Sequence, residues 1–367
     1  MRKILLTSTA LLALPTSAHA FDVMLGGSVD FRAALFHESE KSRPAGEGPR
    51  RSRDIQSEYD FVITAQKEAP RGITYGALIE INNSQSHDAP AGLEQAYVWL
   101  ESPALGKAMF GDTYGARTLF VIAPTVGEDQ MAGSYTNFTD PRSLGRLQPA
   151  FVDQTLGATK LVWYSPKTAM FGEDHTLQLG VSFTPREDMA GSEVALYDNA
   201  TEPKNVIEIA AQYTGIMGPA NIVVSPMVVM AQSSATQRSA TLWGLGAQAE
   251  YAGVTIGGSY VDGSHYGMQT GQTLPQRVWT AGLKYELGSM EFAASTMRGR
   301  GYMGYGFIGS AAKGNYVDRL SMWGLGASYN WFAGFTTTAD AVFFDQKITA
   351  GEPNTGHVLM LSQKLSF

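Results

Sequence analysis

The segment HVLMLSQKLSF (357–367) is the last of the sequence. Strand side chains alternate between two faces. His357, Leu359, Leu361, Gln363, Leu365 and Phe367 share one face; Val358, Met360, Ser362, Lys364 and Ser366 share the other. The first face is largely apolar, and the second turns polar towards the end. The same two-residue alternation recurs along the whole chain. A strand cannot end unpaired in lipid, so membrane strands come as closed barrels. The segment reads as the closing stave of such a barrel.

Met1-Arg2-Lys3 is a short basic start, residues 4–14 are apolar, and Ala18-His19-Ala20 is a small-residue cleavage pattern. The apolar run is shorter than the about 20 residues a membrane helix needs. In this order the three parts predict a secretory signal at 1–20, removed from a domain at 21–367. Loss of Arg2 and Lys3 takes the formal charge from −7 to −9. Nucleic-acid binding rests on Lys and Arg against phosphate, so nucleic acid is excluded as a partner. There is no cysteine, and an exported fold must then close by packing and hydrogen bonding alone. No later stretch reaches the about 18 apolar residues of a spanning helix.

Working through the chain, Val23, Leu25, Gly27, Val29, Phe31, Ala33 and Leu35 oppose Met24, Gly26, Ser28, Asp30, Arg32, Ala34 and Phe36. Further alternating runs lie at 58–66, 73–81, 96–100, 107–112, 160–164, 177–183, 206–213, 222–231, 242–251, 254–260, 278–287, 290–297, 320–331 and 335–345. With the last segment, sixteen strands are expected. Residues 96–100 are apolar on both faces, which leaves their orientation open. Residues 227–231 are also apolar on both faces, which fits packing between subunits or within one barrel.

The expected connections alternate in length. Outer ones are long: 38–53, 82–92, 113–158, 185–204, 232–240, 262–276, 298–318 and 346–356. Inner ones are mostly tight: 67–72, 102–106, 215–219, 252–253, 287–289 and 332–334, with 165–175 the longest. Long external loops and short periplasmic turns mark outer-membrane barrels. Aromatics near strand ends (Tyr251, Tyr285, Trp331, Phe335, Phe343, Phe367) flank small and aliphatic middles (Ala247, Ala249, Ala281, Leu283, Ala339, Ala341), as girdles around a lipid band would. WGLGAQAEY (243–251) is echoed by WGLGASYNW (323–331), which two equivalent strands explain without a repeat architecture.

The connection after Asp112 is the informative one. A structureless loop beyond about 15 residues is uncommon unless functional or disordered. This loop carries Tyr114, Phe120, Tyr135, Phe138 and Phe151, with Leu119, Val121, Ile122, Val126 and Leu147. A solvated tail would lack these. It is expected to fold back inside the barrel; an external loop over the mouth is the alternative. Its acids are Glu128, Asp129, Asp140 and Asp153, and its bases Arg117, Arg142 and Arg146.

The signal, the sixteen strands, FGDTYGA (110–116) leading into the long third outer loop, and Phe367 together resemble the general porins of the Gram-negative outer membrane. The resemblance covers the whole mature chain and implies a homotrimer of barrels in outer-membrane lipid. It also implies a third loop that narrows the pore, with acids facing a cluster of bases on the wall. Carried over, the acids are Glu128, Asp129, Asp140 and Asp153. The wall bases are Arg32, Lys160 and Lys284. The family's dense arginine run on the early strands is not evident.

Sixteen strands leave an aqueous lumen, and charges at a constriction select ions by sign. The inward acids Glu58, Asp60, Glu80, Glu208, Glu250, Glu286 and Asp340 outnumber Arg32, Lys284 and Lys364, so a weak preference for cations is expected. Enzyme signals are poor. Residues 299–304 satisfy GxGxxG without the βαβ unit that the fingerprint needs. His37, His87, His175, His265 and His357 lack metal-ligand spacing, so neither metal nor cofactor is expected. The reading is a diffusion channel for small hydrophilic solutes and ions. A sugar-selective channel with Tyr114 and Tyr135 along its track, or a barrel with mainly structural or adhesive loops, is the alternative.

Overall fold

In the computed structural model, alternation of apolar and polar residues becomes alternation of an outer and an inner face. On the last strand Leu359, Leu361, Leu365 and Phe367 point out, whereas Val358, Met360 and Ser362 are buried inside. The structure describes residues 21–39, 51–83, 92–126, 134–139, 158–186, 204–233, 238–264, 276–302, 316–348 and 353–367.

The strands are β1 (Asp22–Glu38), β2 (Arg53–Ala69), β3 (Ile73–Asn82), β4 (Gly92–Ser102), β5 (Gly106–Asp112), β6 (Thr159–Tyr164), β7 (Thr168–Ala169), β8 (Thr176–Arg186) and β9 (Lys204–Met217). They continue as β10 (Ala220–Gln232), β11 (Ala240–Tyr251), β12 (Val254–Ser264), β13 (Gln276–Leu287), β14 (Met290–Tyr302), β15 (Tyr316–Phe332), β16 (Phe335–Ile348) and β17 (Asn354–Ser366). All pairings are antiparallel. Both β6 and β7 pair with β8, so they are two pieces of one stave and the barrel has sixteen. Pro166 lies in the gap between them; it has no N–H to give a ladder.

β17 pairs with β1, which closes the sheet. At the seam the Gly27 and Phe367 backbones exchange hydrogen bonds of 3.1 and 3.0 Å. Closure leaves no edge, so strand backbone can sit in hydrocarbon. No described helix is long and apolar enough to cross a membrane; the strands do the crossing.

The outer face is apolar, with aromatics at both ends. Tyr260, Trp279, Trp323 and Phe343 form the upper row on β12–β16, and Tyr251, Tyr285, Tyr329, Trp331 and Phe367 lie at the lower ends. Aromatic contacts tie the rows together, across strands in Trp243 with Tyr260 and along β15 in Tyr329 with Trp331.

The structure settles the orientation of β4, which sequence left open, and corrects one boundary. On β4, Trp99 is buried inside while Val98 and Leu100 are exposed outside; the Lys107 ammonium lies 5.0 Å from the Trp99 ring centre. On β10, Met227, Val229 and Ala231 are buried within the barrel. Residues 298–318 were expected to form one loop, but β14 runs on to Tyr302 and β15 starts at Tyr316. The Gly- and Arg-rich stretch 298–302 has loop composition because its strand has already passed the apolar band.

Candidate functional site

The site is built where β5 hands over to the long connection. Asp112 ends the strand and accepts a 2.5 Å hydrogen bond from Thr159 Oγ1. The Lys160 ammonium, 2% exposed, donates to the Thr113 carbonyl. Thr113 Oγ1 donates to Gln95 Oε1 at 3.1 Å, Tyr114 OH to Glu94 Oε1 at 3.2 Å, and Tyr164 OH to the Gly115 carbonyl at 2.9 Å. A short 3-10 turn follows at Ala116–Leu119.

From there the chain crosses the inner face of β8–β13, and its backbone groups find partners on the wall. Ala116 N–H donates to Ser182 Oγ at 3.0 Å and Val121 N–H to Ser225 Oγ at 2.7 Å. Ala123 N–H donates to Thr280 Oγ1 at 3.1 Å. Gln212 Nε2 donates to the Leu119 carbonyl at 2.9 Å and Gln248 Nε2 to the Ile122 carbonyl at 2.8 Å. Buried backbone polar groups must be paired somewhere; here inward-facing Ser, Thr and Gln side chains do it.

The strongest contact is ionic. Arg117 Nη2 lies 2.6 Å from Glu208 Oε1, with both side chains 0% exposed. Arg117 Nε donates to the same oxygen at 2.7 Å; Arg117 N–H and Ser182 Oγ donate to Oε2 at 3.2 and 2.9 Å. Clearance comes from glycine. A Cβ on Gly244 would stand 3.1 Å from the Phe120 ring, one on Gly246 would overlap the Val121 carbonyl, and one on Gly282 would stand 2.8 Å from the Pro124 carbonyl. Glycine within a strand marks close approach of another backbone.

A second described piece, a 3-10 turn at Ser134–Phe138, meets the opposite arc. Asn137 Nδ2 lies 3.1 Å from Gln56 Oε1 and 3.2 Å from Glu58 Oε1 on β2. The Phe138 ring is 5.9 Å from that of Phe36 on β1. Phe120, Tyr135 and Phe138 join one apolar cluster with inward-facing Met227, Val229, Leu242, Met297, Met322 and Phe344. Burial pushes the Tyr135 phenol well above its usual range, so it enters that cluster uncharged.

Carboxylates gather on the inner face of β1–β4. Asp30 lies 2.7 Å from Arg32 Nη2, and Glu58 pairs with Nη1. Asp60 accepts from Ser28 Oγ at 3.1 Å, and Glu80 from Gln95. Glu94, at the register shift between β3 and β4, accepts from Asn82 Nδ2 at 2.9 Å.

Of the constriction residues expected from sequence, Arg32 lies on the wall among these acids, 1% exposed. Arg117 is buried between loop and wall as an anchor. Glu128, Asp129, Asp140, Arg142, Arg146 and Asp153 lie outside the described residues. Lys160 holds the root of the loop, and Lys284 lies 2.5 Å from Glu286 on the inner face. The wall partners Ser182, Ser225, Thr280, Gln212 and Gln248 were missed; their signal was polar residues at inward positions beside strand glycines. Among the described residues no group of three or more His, Cys, Asp or Glu could hold a metal.

The profile of the Gram-negative porin family matches residues 7–349. The chain belongs to the Gram-negative porins. No curated protein matches its sequence, but solved structures share the fold. A loop-deletion mutant of OmpT, an outer membrane protein of Vibrio cholerae, aligns at TM-score 0.61 and 10% identity over 95% of this chain and 100% of its own. An engineered variant of the Rh. blastica porin aligns at 0.57 and 16% over 94% and 100%. The anion-selective porin from Comamonas acidovorans aligns at 0.59 and 12% over 95% and 100%. This porin is thus an outer-membrane channel protein, and its barrel is the conduit.

Proposed function

We propose that this porin is a passive diffusion channel for small hydrophilic solutes and ions, with a weak preference for cations. It is narrowed by the third outer loop, exported by a cleaved signal at 1–20, and works as a homotrimer. The observation that carries this reading is the hydrogen-bonding of residues 116–123 to the inner wall, facing an arc that bears Asp30, Glu58, Asp60, Glu80 and Glu94. Loop residues bonded to inward side chains occupy lumen cross-section. Carboxylates along the remaining path attract cations and repel anions.

The outer surface at the β17–β1 seam supports association. Ala33 and Ala339 flank Leu361, leaving a recess bordered by Leu35, Ile55 and Leu359. Such a recess fits the face of a neighbouring barrel.

Purified protein in a planar bilayer should give large ohmic steps, and a salt gradient should give a reversal potential of cation sign. Deletion of residues 118–150 should raise single-channel conductance. An unchanged pore after that deletion would place the loop outside the path. Block by one sugar would favour a selective channel, and no conductance at all would favour the structural reading.

A further inference from the structure

Closure of the sheet brings together two histidines from near opposite ends of the chain. The register sets His37 on β1 directly opposite His357 on β17. Both lie on the outer face, on the same outward rows as Leu35 and Leu359. Their ring centres are 5.8 Å apart, with the ring planes tilted by 35°. Phe343, in the upper aromatic row, lies opposite His357 with its ring centre 6.1 Å away. The pair therefore stands at the upper membrane interface. Asp345, further up β16, is held by Arg319 at 2.6 Å, and Asp54, on β2, by Arg51 at 2.8 Å. The donors at this point are thus the two imidazoles.

Residues directly opposite on an antiparallel pair hold their Cβ atoms about 4.5–5.5 Å apart. An ion about 2.0–2.1 Å from one nitrogen of each ring holds two ring centres roughly 5–6 Å apart, which is the separation found. Imidazole suits copper, nickel and zinc, and copper(II) stands highest in affinity. Calcium and magnesium take oxygen ligands instead. Tryptophan and tyrosine are the usual rings of a membrane interface, and this barrel uses them along the same row at Trp279 and Trp323. Two histidines in their place supply metal-ligating nitrogens that those rings lack.

We propose that His37 and His357 form a site for a divalent transition-metal ion, copper(II) above all, that ties the first strand to the last. Water fills the remaining coordination positions. The site exists only when β1 and β17 are paired, so binding favours the closed barrel by mass action. A clip between residues so distant in sequence closes almost the whole chain into a loop, and long loops are where such a clip restrains the open chain most. The inference rests on the outer face alone and is independent of how the lumen selects its solutes.

Titration of the untagged, detergent-solubilised full barrel with copper(II) tests it, against His37→Asn and His357→Asn made singly. Any copper bound by the other histidines is common to all three proteins. Loss of even an outer-shell partner costs about 10–100-fold in metal affinity, so each variant should bind at least about tenfold more weakly than the wild type. The spin-resonance spectrum of the wild-type complex should show two nitrogen ligands. Copper should raise the urea midpoint of the wild type and leave that of either variant unmoved, with single-channel conductance the same in all three. His37→Gln and His357→Gln replace any asparagine variant that assembles poorly. Wild-type affinity matched by either folded variant overturns the proposal, because one ring then suffices. Tight copper binding with an unmoved wild-type midpoint overturns the tie between the strands.

Discussion

At Glu208, one carboxylate holds a loop to a wall. Both partners of the Arg117–Glu208 pair are sealed from water, so each charge depends on the other. Breaking such a pair from one side costs about 3–5 kcal/mol, because the remaining charge stays buried alone. Glu208→Gln should therefore release residues 116–123 from β8 and β9, giving larger and noisier single-channel currents. Replacing both partners, Arg117→Met with Glu208→Leu, takes both charges out of the gap, and buried pairs are often exchanged for apolar groups at little net cost. The double variant should recover quiet currents. If the single variant is as quiet as the wild type, the pair is not the anchor. Alternation placed Glu208 on the inner face from sequence alone; that Arg117 would cover it depends on how the loop lies, which no periodicity encodes.

At the scale of elements, the strands were legible and their company was not. Sixteen runs of alternation became sixteen staves because each needs an oil face and a second face unlike it, and that demand is written at every second residue. β4 defied this reading because Tyr97 and Trp99 face inwards although their composition matches the outer face. The last turn of β14 escaped because a strand beyond the oil loses its apolar signature. WGLG at 243–246 looked like half of an echo. In the structure its two glycines make room for Phe120 and Val121. The variant Gly246→Val tests that clearance, since its Cβ would overlap the Val121 carbonyl. The barrel should still assemble, because valine suits a strand. The loop should lift from β11, and conductance should rise towards that of the 118–150 deletion. A folded Gly246→Val barrel with wild-type conductance would mean that the loop does not limit the path.

The whole molecule depends on one face of every strand meeting oil and the other meeting water or the loop. Adjacent residues of β13 put this to a direct trial. Leu283 points outwards in mid-strand, 45% exposed in the isolated barrel, beside Ile256 and Ala294 on its neighbours. Its next residue, Lys284, points inwards and pairs with Glu286. A charge facing the bilayer midplane costs about 2–4 kcal/mol, a cost that an inward charge avoids. Leu283→Arg should therefore lower the urea midpoint of refolding into vesicles and reduce the yield of folded barrel. Lys284→Leu should leave that midpoint nearly unchanged, because a partly exposed ion pair contributes at most about 1 kcal/mol. It should instead shift the reversal potential further towards cations, since a positive charge has left the inner face while Glu286 remains. The two variants differ by one residue in position and should fail in different assays, one in assembly and the other in selectivity. If Leu283→Arg folds normally and Lys284→Leu does not, the faces are reversed, and with them the inner placement of every carboxylate from Asp30 to Glu94.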